Sequence, residues 1–260
     1  MPAPRTPMTR SADLGFRTAG LYRLLGWTSP SFPTGGFSYS HGLEAAVDGG
    51  TVRDRASLQA WIAAIVANGS GRIDCDILRD AYRTAAIGDA ERLATANRRG
   101  IAFRATAELA LESGQQGEAF LATCRAAWSD PFVEAWSSPH RNPPPLAGEG
   151  RVADFLCDKD RGVCHAAVFG AIAARAGIAL EDALVGYLHA FASNLVSAGI
   201  RLGVIGQTDG QRILAALEPV VAEAMEAALN RDSADFGSAT FAADLGSMAH
   251  ETQYSRLFRS

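Results

Sequence analysis

An all-α fold, a single globular helical domain of about nine or ten helices with a C-terminal tail, follows from three observations. Alanine supplies 49 of the 260 residues and aromatics only 8%, a balance that favours helix over strand. Apolar residues recur at helical spacing in segment after segment. No run alternates apolar and polar residues, no Asn-Gly or Asp-Gly pair joins two β-branched segments, and no internal repeat is present. Apolar residues at 48% and charged residues at 20% exclude general disorder. The net charge of −4 gives no basic excess for nucleic acid or an anionic membrane. Arginine outnumbers lysine 23 to one, the one being Lys159, which reads as genome base composition.

The elements follow in order. Residues 1–18 carry Arg5, Arg10 and Arg17 without an apolar stretch, so they read as a flexible leader and not a signal peptide. A short helix is expected from Leu21 to Trp27, broken by Pro30, Pro33, Gly35 and Gly36. Ser38 or Ser40 can cap a second one reaching Val47. Asp54 is the next N-cap, ahead of Leu58, Trp61, Ile62, Ile65 and Val66. Ile73, Ile77, Leu78 and Tyr82 predict a helix ending near Gly88. Asp89 caps one carrying Leu93, Ile101, Leu109 and Leu111 to about Ser113, and another runs from about Gln116 to Trp128. Four prolines and two glycines between Ser137 and Gly150 exclude helix or central strand and predict a mobile insert over 137–161.

Helices resume from Cys164 to Ala176 and from Leu180 to about Leu202. The second places Leu180, Leu184, Leu188, Phe191, Leu195 and Leu202 on one face and is the expected central helix. Its uncharged stretch Ala183–Ile200 is at the bottom of the membrane-spanning range and reads as buried within a soluble protein. Thr208-Asp209-Gly210-Gln211 fits a capping box opening a helix with Pro219 inside. The domain therefore spans 19–230. Residues 231–260 form an interaction tail, with Phe236, Phe241, Leu245, Met248, Tyr254, Leu257 and Phe258 among polar residues.

The familiar catalytic patterns are missing. Ser38, Ser40 and His41 lack the second glycine of a nucleophile elbow and the strand before it. Asp76 and Asp80 share a helical face and could hold Mg²⁺ if they met an enclosed cavity, with Glu181 and Asp182 the nearest second acidic group. Cys75, Cys124, Cys157 and Cys164 form no C-x-x-C pair and read as reduced thiols. No phosphate loop is present, and a ligand-sensing regulator would want a basic recognition helix that the chain lacks. Two interaction surfaces remain. Asn194, Ser197 and Arg201 line up beside the apolar face of the central helix and suit a subunit interface. Tyr254, Leu257 and Phe258 would share one terminal helical turn, with Arg256 and Arg259 as charged donors.

Ser29-Pro30, Pro33 and the run Gly35-Gly36-Phe37-Ser38-Tyr39-Ser40-His41-Gly42-Leu43-Glu44 resemble the N-terminal signature of the UreF urease accessory proteins. Ser193-Asn194-Leu195-Val196-Ser197-Ala198 with Arg201-Leu202, then Gly206-Gln207-Thr208-Asp209-Gly210-Gln211-Arg212, resembles their central signature, and His250 to Ser260 their ending. The resemblance implies a non-catalytic, homodimeric, cytoplasmic scaffold with no resident cofactor. It would bridge the accessory protein UreD (UreH) and the GTPase UreG and so connect with the urease apoprotein, with transient Ni²⁺ passage. The partner-binding residues expected are Asn194, Ser197, Arg201, Gln207, Asp209, Arg212, His250, Glu251, Tyr254, Arg256, Leu257 and Phe258. The insert at 137–161 is longer than such proteins usually carry there.

Overall fold

A computed structural model describes residues 7–137 and 162–259, and within them every regular element is a helix. In chain order these are α1 (Pro7–Trp27), a 3-10 turn (Gly36–Ser38), α2 (Leu43–Asp48), α3 (Arg55–Asn68), α4 (Ser70–Ala86), α5 (Ala90–Ala102), α6 (Ala107–Ala127), α7 (Pro131–Ser137), α8 (His165–Arg175), α9 (Leu180–Arg201), α10 (Gln207–Asn230) and α11 (Phe241–Glu251).

Local chemistry explains most starts. The Asp54 carboxylate accepts from Ser57 N at 2.8 Å, and the Ser57 hydroxyl accepts from Asp54 N at 3.1 Å, a reciprocal cap. Asp89 accepts from Arg92 N at 3.0 Å, and Thr106 from Leu109 N at 3.1 Å. Six residues before the expected insert, α7 opens on Pro131 at its first position, with Asp130 accepting from Phe132 N and Val133 N.

Several expectations are corrected. The first helix begins at Pro7, not Leu21, so residues 7–18 belong to it rather than to a leader; residues 1–6 lie outside the described residues. Docking of Leu24 and Trp27 in the core supports a helix that propagates back through a polar sequence with no apolar period. The break between α5 and α6 falls at 103–106 and not at Gly114. Gly114 and Gly117 lie inside α6, and at Gly117 a Cβ would collide with the Val163 carbonyl oxygen, so that glycine permits close packing instead of ending a helix. Ser137, read as the first residue of the insert, is the buried last residue of α7; the rest of that segment, Cys157 included, lies outside the described residues. The capping box at Thr208 is not formed. α10 starts at Gln207 with Gly206 as its N-cap, and Asp209 bonds Arg212 at 2.9 Å.

The core centres on α4 and α8. Gly170 presses so closely on α4 that a Cβ there would meet the Leu78 carbonyl oxygen. α9 crosses this pair with Leu184, Leu188 and Leu195 buried, and α10 closes over α3 and α4. By length and composition α9 could cross a membrane, but its leucine face is spent inside this core. Arg79 joins the end of α10 to α4: it donates to the Ala228 carbonyl at 2.5 Å, within the negative end of that helix. α11 packs across α2 and α6, which brings the chain's end back over its beginning.

Candidate functional site: a face where three distant segments meet

The loop after α1 contains prolines and glycines because it must turn sharply while feeding Phe32 into the core, 5.2 Å from the Phe120 ring. Gly35 and Gly42 have φ of 75° and 76°, and non-glycine His41 has φ of 57°, a left-handed conformation that costs free energy and is held by its surroundings. His41 Nδ1 lies 3.1 Å from Glu112 Oε2 on α6, and Nε2 lies 2.7 Å from Ser70 Oγ at the start of α4. The imidazole therefore ties α2, α4 and α6 together. Neither Ser38 nor Ser40 is its partner; Ser40 Oγ accepts from Glu44 N.

Beneath this loop is a cavity of about 360 Å³. Its polar wall includes Asp74, Arg104, Tyr187 and Asn194. Arg104 Nη2 donates to Asp74 Oδ1 at 2.7 Å, and Tyr187 donates to Asp74 Oδ2 at 2.9 Å. Burial disfavours charge on Arg104, but Asp74 outweighs it and holds the guanidinium's pKa above its ordinary value. His165 completes the wall beside Phe120, Phe169 and Tyr187; burial pushes its pKa down to about 4. Asp76 and Asp80 are not part of this cavity. Both are ion-paired to Arg79, and Asp76 also to Arg231, which leaves the proposed Mg²⁺ pair engaged elsewhere. No cluster of three potential metal ligands occurs among the described residues. Cys75, Cys124 and Cys164 are free, buried thiols.

Beside the cavity the N-terminal loop, the end of α9 and the chain's last residues converge. Asn194 Nδ2 donates to the Tyr39 carbonyl at 3.2 Å, and Ser197 borders the cavity. The Arg201 guanidinium lies between two rings, 3.6 Å from the Phe37 centroid and 4.2 Å from that of Phe258, which is cation–π contact on both faces. Its Nη2 is buried and finds no acceptor among the described residues. Arg259 N donates to the Ser38 carbonyl at 2.8 Å, and the Tyr39 hydroxyl donates to Gln115 Oε1, its pKa pushed up to about 12 by burial and the Glu112 charge.

The tail is held more firmly than its sequence suggests. Residues 252–259 are not helical, so Tyr254, Leu257 and Phe258 do not share a turn. Phe258 is buried at 4% exposure while Tyr254 and Leu257 point outward at 105% and 61%. His250 is wholly enclosed, with Nδ1 at 2.8 Å from Glu108 Oε2 and Nε2 at 3.0 Å from Glu44 Oε2. Glu251 accepts from Ala107 N, and Arg256 donates to Glu108 Oε1 at 2.9 Å. Removal of residues 250–259 is therefore expected to open the core. Gln207, Asp209 and Arg212 sit apart at the start of α10, where Asp209 pairs with Arg212 and lies 3.9 Å from Arg55. Of the expected partner-binding residues, the structure brings together Asn194, Ser197, Arg201 and the tail. Sequence reasoning missed Phe37, Tyr39, Glu44 and Glu108 as their counterparts. The run Phe37 to Glu44 carried a signature, but nothing local signalled Glu108, whose partner His250 is 142 residues away.

The model of the family described as UreF matches residues 52–218. The urease accessory protein UreF of Bradyrhizobium sp. (strain ORS 278) is 45% identical over 250 residues, 96% of each chain. Its namesake from Granulibacter bethesdensis is 44% identical over 242 residues, 93% of this chain and 94% of its own. That of Rhodopseudomonas palustris (strain BisA53) is 42% identical over 257 residues, 97% of this chain and all of its own. With a family model across more than half its length and relatives aligned almost end to end, this chain belongs to the UreF family of urease accessory proteins.

Proposed function

We propose that the chain is a non-catalytic scaffold for urease maturation, a cytoplasmic homodimer that bridges UreD (UreH) and the GTPase UreG so that GTP-driven nickel insertion into the urease apoprotein can occur. Ni²⁺ passes as cargo and is not a resident cofactor. One observation carries this reading: three segments far apart in sequence meet at Arg201, which keeps a buried donor without an acceptor among the described residues. A buried unsatisfied donor is costly, and a carboxylate or carbonyl from a docking partner would satisfy it once the Phe37 or Phe258 ring moves off the guanidinium. Phe37, at 65% exposure, lies against that point, and Tyr254 and Leu257 are exposed on the same terminal segment as Phe258, the composition of a binding hot spot. In this reading the Arg201 face and the tail are one surface, and the GTPase docks there.

The test is co-expression with UreD and UreG homologues. Wild type is expected to yield a ternary complex, and failure to form one overturns the scaffold reading. Arg201→Ala should leave helicity intact and weaken GTPase capture by about 30-fold, the equivalent of a hot spot of about 2 kcal/mol. Light scattering on the same variant reads whether Arg201 also supports the dimer. Wild-type capture by a folded Arg201→Ala protein removes this face as the docking site.

A further inference from the structure

We propose that Glu44, His250 and Glu108 form a proton-operated latch that holds the C-terminal segment 252–259 against α2 and α6 and releases it as pH rises. Besides the bond from Arg259 N to the Ser38 carbonyl, the hydrogen bonds that attach this segment to α2 and α6 converge on two carboxylates. Glu44 Oε1 accepts from Leu257 N at 2.7 Å, and Glu44 Oε2 accepts from Phe258 N at 2.9 Å. Glu108 Oε1 accepts from Arg256 Nη1. The remaining carboxylate contacts of both glutamates go to the two ring nitrogens of His250. An imidazolium donates through both nitrogens, whereas the neutral ring carries one N–H. Deprotonation therefore turns one nitrogen lone pair toward a carboxylate oxygen. It also leaves the glutamates, among the described residues, with only Arg256 to offset two negative charges in an enclosed space, a costly arrangement.

The charged groups around the ring are set by each element packed on it. α2 contributes Glu44, α6 contributes Glu108, and the terminal segment contributes Arg256. On α11, Glu251 is bonded to the Ala107 amide, and Asp244 interacts with His41. Burial alone would lower the His250 pKa, but hydrogen bonds to Glu108 and Glu44 outweigh it and hold it above the ordinary histidine value. A raised folded-state pKa contributes stability that is fully present below the unfolded value near 6.5 and is lost as pH rises through the folded value. Release takes Phe258 off the Arg201 guanidinium. The consequence for docking rests on the function proposed above, but the latch itself belongs to this chain alone.

The test therefore uses the isolated full-length chain. The ¹³Cε1–¹Hε1 signal of His250, assigned by its loss in His250→Asn, is followed from pH 5.5 to 9.5. Over the same range, hydrogen exchange of the C-terminal peptide is converted to protection factors, which removes the intrinsic pH dependence of exchange. His250 is expected to titrate above 6.5, and the peptide to lose at least tenfold protection with the same midpoint while peptides of α4 and α8 stay protected. Glu108→Gln should move the midpoint down. A wild-type midpoint at or below 6.5, or terminal protection that does not change through the His250 transition, overturns the latch. Both readouts are taken on the wild-type chain; His250→Asn serves only to assign the signal, and the exchange readout needs no variant. GTPase capture plays no part, so failure of the docking reading leaves this result intact.

Discussion

His165 is half-buried in the cavity wall and His250 is wholly enclosed, yet their surroundings prefer opposite charge states. His165 faces the aromatic rings of Phe120, Phe169 and Tyr187, and its nearest charges, Asp74 and Arg104, are paired with each other. Burial dominates there, and the ring stays neutral to about pH 4. His250 has a glutamate on each nitrogen and is held in the charged form. Burial alone therefore does not set a histidine's charge; the competition between desolvation and local hydrogen bonding does. The same contrast divides the molecule by function. The His165 wall is a permanent structure in which Arg104 supplies a charge that does not titrate. The His250 clasp holds a movable segment with a charge that can be removed.

The largest effect should come from breaking the permanent wall. Asp74→Ala leaves Arg104 buried without its counter-ion and deprives Tyr187 of its acceptor. Loss of about 3–5 kcal/mol is expected in chemical denaturation. The same change should push the His165 midpoint lower still, because Asp74 is among the groups that raise it.

Acid separates the two histidines next. A histidine whose folded pKa is depressed takes up its proton more readily when unfolded, so stability falls as pH drops from the unfolded value toward the folded one. Between the ordinary value of 6.5 and about 4 for His165, the difference is worth about 3 kcal/mol. His250 contributes fully over that window, since its raised pKa keeps it protonated there. Melting temperature against pH should show an acid limb that His165→Leu flattens and His250→Asn does not.

The smallest effect is expected from Tyr254→Ala. This side chain is fully exposed at the chain's end, so stability should change by no more than about 0.5 kcal/mol. A loss of several times that in thermal denaturation would mean that the terminal segment is anchored through Tyr254 as well as through His250 and Phe258.

Legibility in the sequence varies by residue. The Asp54 and Asp89 caps, the central helix from Leu180 and its leucine face are readable because each is decided within a few residues. The break near residue 104 is hidden because Gly114 and Gly117 look like helix breakers until the neighbouring Val163 backbone is seen against α6. The tail reads as a free docking arm because its composition is that of a hot spot. Its terminal segment is anchored by Glu44 and Glu108, more than 140 residues away in the chain. Arg201 stands out in the sequence as a candidate interface residue, but its two aromatic neighbours do not.

Local sequence was enough for the helical class, most helix boundaries, the absence of familiar nucleotide loops and the family, since propensities, caps and signature runs are properties of short stretches. Packing in three dimensions was needed to show that parts of the three signatures form one face while Gln207 to Arg212 sit apart, that Arg201 keeps an unmet donor among the described residues, and that one histidine is neutral while the other is charged. These depend on which groups stand within a few ångströms in an interior of low dielectric. Such proximity comes from how the helices pack, and in this chain the packing joins the last ten residues to the first fifty.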